Sequence, residues 1–293
     1  KSGEVWVNEL RLKDYNNTGG WAANGNLSVQ LSDLGNMNLQ GRYVSEGFGG
    51  LEDGVSSRTQ DAQTDMAFTT SLELGKFFPD KAKVSIPVYY SVTKQTVKPK
   101  YNPLDTDMEL KEALDAAANK TERDSIENIA VTKKVSTNFS MSNARVGIQN
   151  KRHPMPYDPA NFSFSYSHSH VHKQGETTVY ENEDTWRGSL NYQWSPVYKA
   201  YEPFKKIKSK SKYYDILRRF GLNWLPQSVA FNTEMTRNYY ELQERDMEQL
   251  EGSSPLPLTF SSQFLWNRDF NLRWDLTPNL QFSFQSATHA EIE

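Results

Sequence analysis

The chain has no cysteine in its 293 residues. That excludes disulfides, thiol nucleophiles and thiolate metal sites. It also lacks any apolar run near the ~20 residues of a membrane-spanning helix, although a β-barrel crosses with shorter, alternating segments. An excess of one charge is missing as well. The 33 basic and 36 acidic residues leave a formal −3, which gives no general pull toward nucleic acid. Nucleophile elbows, H-E-x-x-H strings and P-loops do not occur, and Gly47-Phe48-Gly49-Gly50 lacks the third glycine of a dinucleotide fingerprint. Only 37% of residues are hydrophobic and the mean hydropathy is −0.75, low for a soluble enzyme of this length. Aromatic residues, by contrast, reach 13%. That pairing suits a wall with one wet side and one aromatic-edged apolar side. No arrangement argues for catalysis, so the chain is read as a non-enzyme without a cofactor or metal.

What is present is a period of two. Leu27, Val29 and Leu31 alternate with Asn26, Ser28, Gln30 and Ser32. Met66, Phe68, Thr70, Leu72 and Leu74 form a second such series, and Val84, Ile86, Val88, Tyr90 and Val92 a third. Trp186, Leu190, Tyr192 and Trp194 form another. Successive strand side chains point to opposite faces, so each segment is a ribbon with one greasy and one wet side. Both a soluble sandwich and an outer-membrane barrel meet that description.

The links carry the topological signal. Asp33-Leu34-Gly35-Asn36, Phe77–Lys81, 151–160 and Thr277-Pro278-Asn279 are short, whereas 45–63, 99–134, 173–184 and 245–262 are long or polar. Short turns on one side and long loops on the other are the wiring of outer-membrane barrels. The exception is 196–227, long yet on the short-turn side. Within 99–134 two short helices are expected. Asp107 caps the first, with Leu110, Ala113, Leu114 and Ala117 on one side, and Thr121 with Asp124 opens the second. The chain begins at Lys1 without a signal peptide and ends in a strand-like 281–293 segment, so it is expected to be an internal piece of a longer protein.

Three clusters deserve weighing. His168, His170 and His172 share one strand face with Phe162, Phe164 and Tyr166. Two of them could share zinc with a ligand from a neighbouring strand, but an apolar stripe ending in amphipathic rings is the preferred reading. Asp105, Asp107 and Glu109 resemble the start of a calcium loop, yet the sixth position is Leu110 rather than glycine. They read as acids at a helix N-terminus. The 199–219 stretch holds Lys205, Lys206, Lys208, Lys210 and Lys212 among eight basic residues. With Tyr213, Tyr214, Ile216, Leu217 and Phe220 following, it reads as a docking element with an amphipathic helix.

Several strings, in order, resemble the SprA/Sov family of Bacteroidetes. They are Val5-Trp6-Val7-Asn8-Glu9-Leu10-Arg11-Leu12, Gly19-Gly20-Trp21-Ala22-Ala23-Asn24, Leu72-Glu73-Leu74-Gly75-Lys76-Phe77-Phe78-Pro79 and Lys100-Tyr101-Asn102-Pro103-Leu104-Asp105. Tyr157-Asp158-Pro159-Ala160-Asn161-Phe162-Ser163 and Phe264-Leu265-Trp266-Asn267-Arg268 complete the set. The resemblance implies part of a type IX secretion translocon of the cell outer membrane, linked to gliding motility. Such a pore passes folded cargo carrying a C-terminal signal domain from the periplasm to the cell surface. Its partners would be outer-membrane lipid, a PorV-like barrel and a plug protein, and no nucleic acid.

The expected fold is therefore all-β: antiparallel up-and-down strands forming residues 1–293 of one very large transmembrane β-barrel. Small helical insertions sit in long loops, with 99–134 extracellular and 196–227 a basic periplasmic insertion. Leu27, Val29, Leu31, Phe68, Val88, Leu190 and Phe282 are expected to face lipid. Asn26, Gln30, Tyr89, Arg187, Asn191 and Gln281 are expected to line a hydrated lumen. The alternatives are another outer-membrane receptor or export pore, a soluble β-sandwich binding carbohydrate or protein, and a secreted carbohydrate-active enzyme.

Overall fold

The computed structural model describes residues 18–54, 57–150, 154–197, 199–205, 220–246 and 256–292. Ten long strands follow the period-two segments. They are β1 (Ala22–Gln30), β2 (Gly35–Val44), β3 (Asp61–Glu73), β5 (Pro87–Pro99), β8 (Thr132–Val146), β9 (Phe162–Gln174), β10 (Thr178–Trp194), β11 (Ser228–Glu244), β12 (Thr259–Thr277) and β13 (Leu280–Ile292). Three short strands complete the set: β4 (Val84–Ser85), β6 (Tyr101–Asn102) and β7 (Asp105–Glu109). The long strands pair in chain order and always antiparallel, while β4 adds to β8, and β6 with β7 forms a separate two-stranded piece. The fold is thus all-β and up-and-down, as one open sheet whose outer strands β1 and β13 do not meet.

Meander order sends every second link to the same end of the sheet. Links at residues 31–34, 74–86, 147–161, 195–227 and 278–279 share one end. Those at 45–60, 100–131, 175–177 and 245–258 share the other. This is the grouping that the link lengths predict, with one correction. The expected polar loop at 173–184 is mostly strand, because β9 runs to Gln174 and β10 starts at Thr178. Apart from Val179 and Tyr180 its strand side chains are polar on both faces, so no apolar alternation marks the strand. The first tight turn is also tighter than expected. Gly35 already opens β2 at φ 147°, and a Cβ there would meet Ser71 O at 1.9 Å.

The helical insertion is present with different caps. α1 (Leu110–Ala116) starts at Glu109, whose side chain makes no capping bond, because Asp105 and Asp107 belong to β7. α2 (Lys120–Ala130) is capped by Asn119, which accepts from Glu122 N at 2.8 Å. Glu122 Oε2 in turn accepts from Ala118 N at 2.9 Å, a reciprocal arrangement that Thr121 and Asp124 do not make. Leu110, Leu114, Ala130 and Val131 form a buried apolar cluster, with Ile126 against it. It lies off the sheet. Leu110→Ala is expected to cost this unit about 2–5 kcal/mol. Limited proteolysis should then cut within residues 100–131 faster, while the far-ultraviolet β signal of the full-length protein stays unchanged.

Candidate functional site

The site is a surface: the two sides of the sheet. Directly paired residues on antiparallel strands share a face. One register row runs Leu27, Leu39, Phe68, Val92, Thr137, His170, Asp184, Tyr239, Ser262. Another runs Leu72, Val88, Met141, Tyr166, Gly188, Met235, Trp266, Ala290. A third joins Phe162, Tyr192, Phe231 and Phe270. All belong to one side, which is apolar across the sheet. Nothing among the described residues covers it. Leu27 is 60% exposed, Met66 52%, Phe164 43% and Phe284 46%.

Leu27, Val29, Phe68, Val88, Leu190 and Phe282 all lie on this side. Leu31 falls just past the end of β1, in the link. Asn26, Gln30, Tyr89, Arg187, Asn191 and Gln281 all lie on the opposite side. That side is hydrogen-bonded across strands. Asn138 Nδ2 donates to Ser91 Oγ at 3.3 Å and Asn138 Oδ1 accepts from Ser169 Oγ at 2.7 Å. Thr185 Oγ1 donates to Asn238 Oδ1 at 3.2 Å, and Asn238 Nδ2 donates to Gln263 Oε1 at 3.3 Å. Near the long-loop end Lys173 Nζ donates to Glu181 Oε1 at 2.8 Å, and that bond holds the ammonium above the ordinary lysine range. Chemically this side is a polar wall laced by side-chain hydrogen bonds.

The apolar band does not follow the hydrogen-bonded rows. On β12 the row of Leu27 falls at Ser262, but the apolar side chains there are Phe264, Trp266, Phe270, Leu272 and Trp274. On β13 Phe282 and Phe284 stand farther still toward the short-turn end, with Ala290 and Ile292 near the long-loop end. The band therefore slips by roughly one residue per strand. With ~3.3 Å rise and ~4.8 Å strand spacing that slip is a tilt of about 35° between strands and the normal to the band. Amphipathic rings stand at its borders. Tyr192 Oη and Trp194 Nε1 donate to Pro156 O and Pro154 O, each at 3.0 Å, and Trp274 Nε1 donates to Asn223 O at 2.9 Å. At the opposite border Trp186 is stacked on His168, centroids 5.1 Å apart, with the Arg237 guanidinium 5.5 Å from its ring.

The three histidines lie beyond that border, on the apolar side's long-loop end. Asp184 Oδ1 from β10 is 3.1 Å from His168 Nε2 and 2.8 Å from His170 Nδ1, and Asn182 Oδ1 is 2.6 Å from His172 Nδ1. Each imidazole thus meets an acceptor across the strand pair. Among the described residues no group of three or more His, Cys, Asp or Glu is placed to hold a metal ion. Asp105 and Asp107 stand on a strand rather than in a helix's first turn. Of the docking lysines, Lys205 is described and pairs with Glu202. Lys206, Lys208, Lys210 and Lys212 lie outside the described residues, as does the amphipathic segment except for Phe220. The base of that link is tied down. Tyr201 bridges to Leu222, and Asn223 Nδ2 donates to Asp275 O at 2.6 Å.

Residues 1–114 match the family SprA_N, described as a motility related/secretion protein. Four of the six strings that carry the resemblance fall inside that stretch. No curated protein matches the chain. That first part of the chain is similar to a family of motility- and secretion-related proteins.

Proposed function

We propose that this chain is a wall segment of a transmembrane β-barrel in the cell outer membrane, through which folded proteins leave the periplasm. The observation that carries the reading is the apolar side of the sheet, uncovered and continuous from β1 to β13. A soluble sandwich would press that side against a second sheet, and the ten long strands belong to one sheet. Hydrocarbon is the remaining solvent that favours it. Three further features support the reading. The band's tilt of about 35° is that of barrel strands. Its borders carry amphipathic rings, as membrane girdles do. The opposite side is polar, as a water-filled lumen requires. The similarity of residues 1–114 to a motility- and secretion-related family supports protein export as the function of such a lumen.

On this reading the partners are outer-membrane lipid, a neighbouring PorV-like barrel, a plug protein and cargo with a C-terminal signal domain. The pore belongs to type IX secretion and gliding motility. The wall moves no bonds and is not an enzyme. The 196–227 link offers its lysines to an acidic partner at the periplasmic end.

Two experiments on the full-length protein test this. Val88 and Tyr89 are neighbours on opposite sides of β5. Val88→Arg is expected to cost about 2–4 kcal/mol of folding in bilayers, and Tyr89→Arg little. Equal penalties in a bilayer unfolding titration would remove the lipid assignment.

The second is topological. Cysteine is absent here, so single reporters carry no background from this region. On intact cells a membrane-impermeant maleimide should label Ser125→Cys and Glu176→Cys, both exposed in the long-loop links. It should spare Asn36→Cys and Asn279→Cys. Labelling of all four, or of none, would overturn the reading.

A further inference from the structure

One position breaks the apolar side. Arg268 stands on the apolar side of β12 with Phe264 and Trp266 toward one end and Phe270 and Leu272 toward the other. Its register row reads Phe164, Leu190, Thr233, Arg268, Thr288. Ser286, the next β13 residue on that side, faces Phe270. Among the described residues, no other charge stands inside the band between its aromatic borders. Lys94, Asp184 and Arg237 lie at or beyond its long-loop edge. The guanidinium is held down rather than swung toward water. Its Cζ lies 4.2 Å from the Trp266 ring centroid, and Trp266 Nε1 donates to Thr233 Oγ1 at 2.8 Å. Arg268 Nε is shut off from solvent with no hydrogen-bond acceptor.

An arginine facing hydrocarbon near mid-depth costs about 2–4 kcal/mol. Ionisable groups within the membrane mark sites and their partners. We infer that the Thr233–Arg268–Thr288 row, with Ser286, is a docking point for a carboxylate on the membrane-embedded wall of a second protein. This rests on the proposed lipid-facing role of the apolar side. Charge selects the occupant. A planar guanidinium pre-set on an indole presents its donor fork to a carboxylate, while acyl chains have no acceptor. Thr233 and Thr288 stand beside Arg268 in its register row, with Ser286 next on β13, and their hydroxyls add donors for carboxylate or backbone oxygen. Strands β1 to β10 have no such window, so the contact is confined to the β11–β13 end of the sheet.

The test uses the full-length protein in its own outer membrane. Benzoylphenylalanine replaces Thr233 or Thr288, leaving Arg268 in place, and crosslinked peptides are mapped by mass spectrometry. The expected product joins this window to one membrane-spanning strand of a second protein, beside an Asp or Glu. Arg268→Glu should then lower crosslinking and co-purification by at least about tenfold. Arg or Lys in place of that partner acid should restore both. Arg268→Leu should still insert and keep its heat-modifiability, which separates lost docking from lost folding. Crosslinks to lipid alone, or to another strand of this same chain, overturn the inference. So does an unchanged yield with Arg268→Glu, or a charge swap without rescue. If the maleimide pattern holds and these fail, the docking point is lost and the barrel stands. If the maleimide pattern itself fails, both are lost.

Discussion

Everything in this sheet depends on an apolar side that the protein does not cover itself. A water-soluble domain hides such a surface in a core, and that burial offsets the entropy of ordering the chain. Among the described residues the buried apolar cluster is the small group around Leu110 and Leu114, in a loop. The ladders provide backbone hydrogen bonds, but net hydrogen bonding contributes only about 0.5–1.5 kcal/mol per bond. Nine ladders without a core therefore call, on the proposed reading, for an external apolar medium. That requirement places the function outside the sheet, in what it faces on each side.

The second constraint is register. The slip of the apolar band against the paired rows means that opposite ends of a strand have different environments. β9 and β10 make the point. Phe162, Phe164 and Tyr166 lie in the band, whereas His168, His170 and His172 stand beyond it and meet Asp184 and Asn182. The strand continues without a break from one environment into the other. The hairpin rises past the band as a polar ribbon, held by side-chain pairs such as Lys173 with Glu181. The irregularity between Met141 and Ala144 lets β8 keep its apolar side aligned with β9. Asn143 adopts φ 54° there, and its N–H is taken by Ser165 Oγ at 2.8 Å. Such bulges re-aim one face without ending the ladder.

How much of this was legible beforehand follows from which physics is local. Alternation is local, so the two sides could be assigned residue by residue, and Leu27 through Phe282 fall together opposite Asn26 through Gln281. Turn chemistry is local too, and Pro278-Asn279 was found by it. The link at 173–184 is legible as a hairpin, but the reach of β9 and β10 into it is not, because residues 181–184 are polar on both sides and carry no period. The helix caps were misplaced for a subtler reason. Asn119 and Thr121 are both capable caps, and only the backbone geometry leaves Glu122 free to close the reciprocal pair. Tilt was not legible at all, since it exists only once strands are paired. Arg268 sat inside a recognised string, but its isolation is a property of the row and not of the strand.

The two sides also impose opposite limits on the chain's edges. β1 is exposed along its whole length, and β13 almost so. In water an unpaired edge is tolerable, if prone to association. In hydrocarbon each unsatisfied backbone group costs several kcal/mol, so an open edge cannot persist there. On the proposed reading, lipid on one side also demands neighbours at both edges, and both demands are met together where further strands continue the wall into a closed ring. A ring of that kind encloses the polar side, where Asn138, Asn238 and Gln263 already bond across strands. On that reading the wet face becomes a lumen as a consequence of the greasy face needing closure.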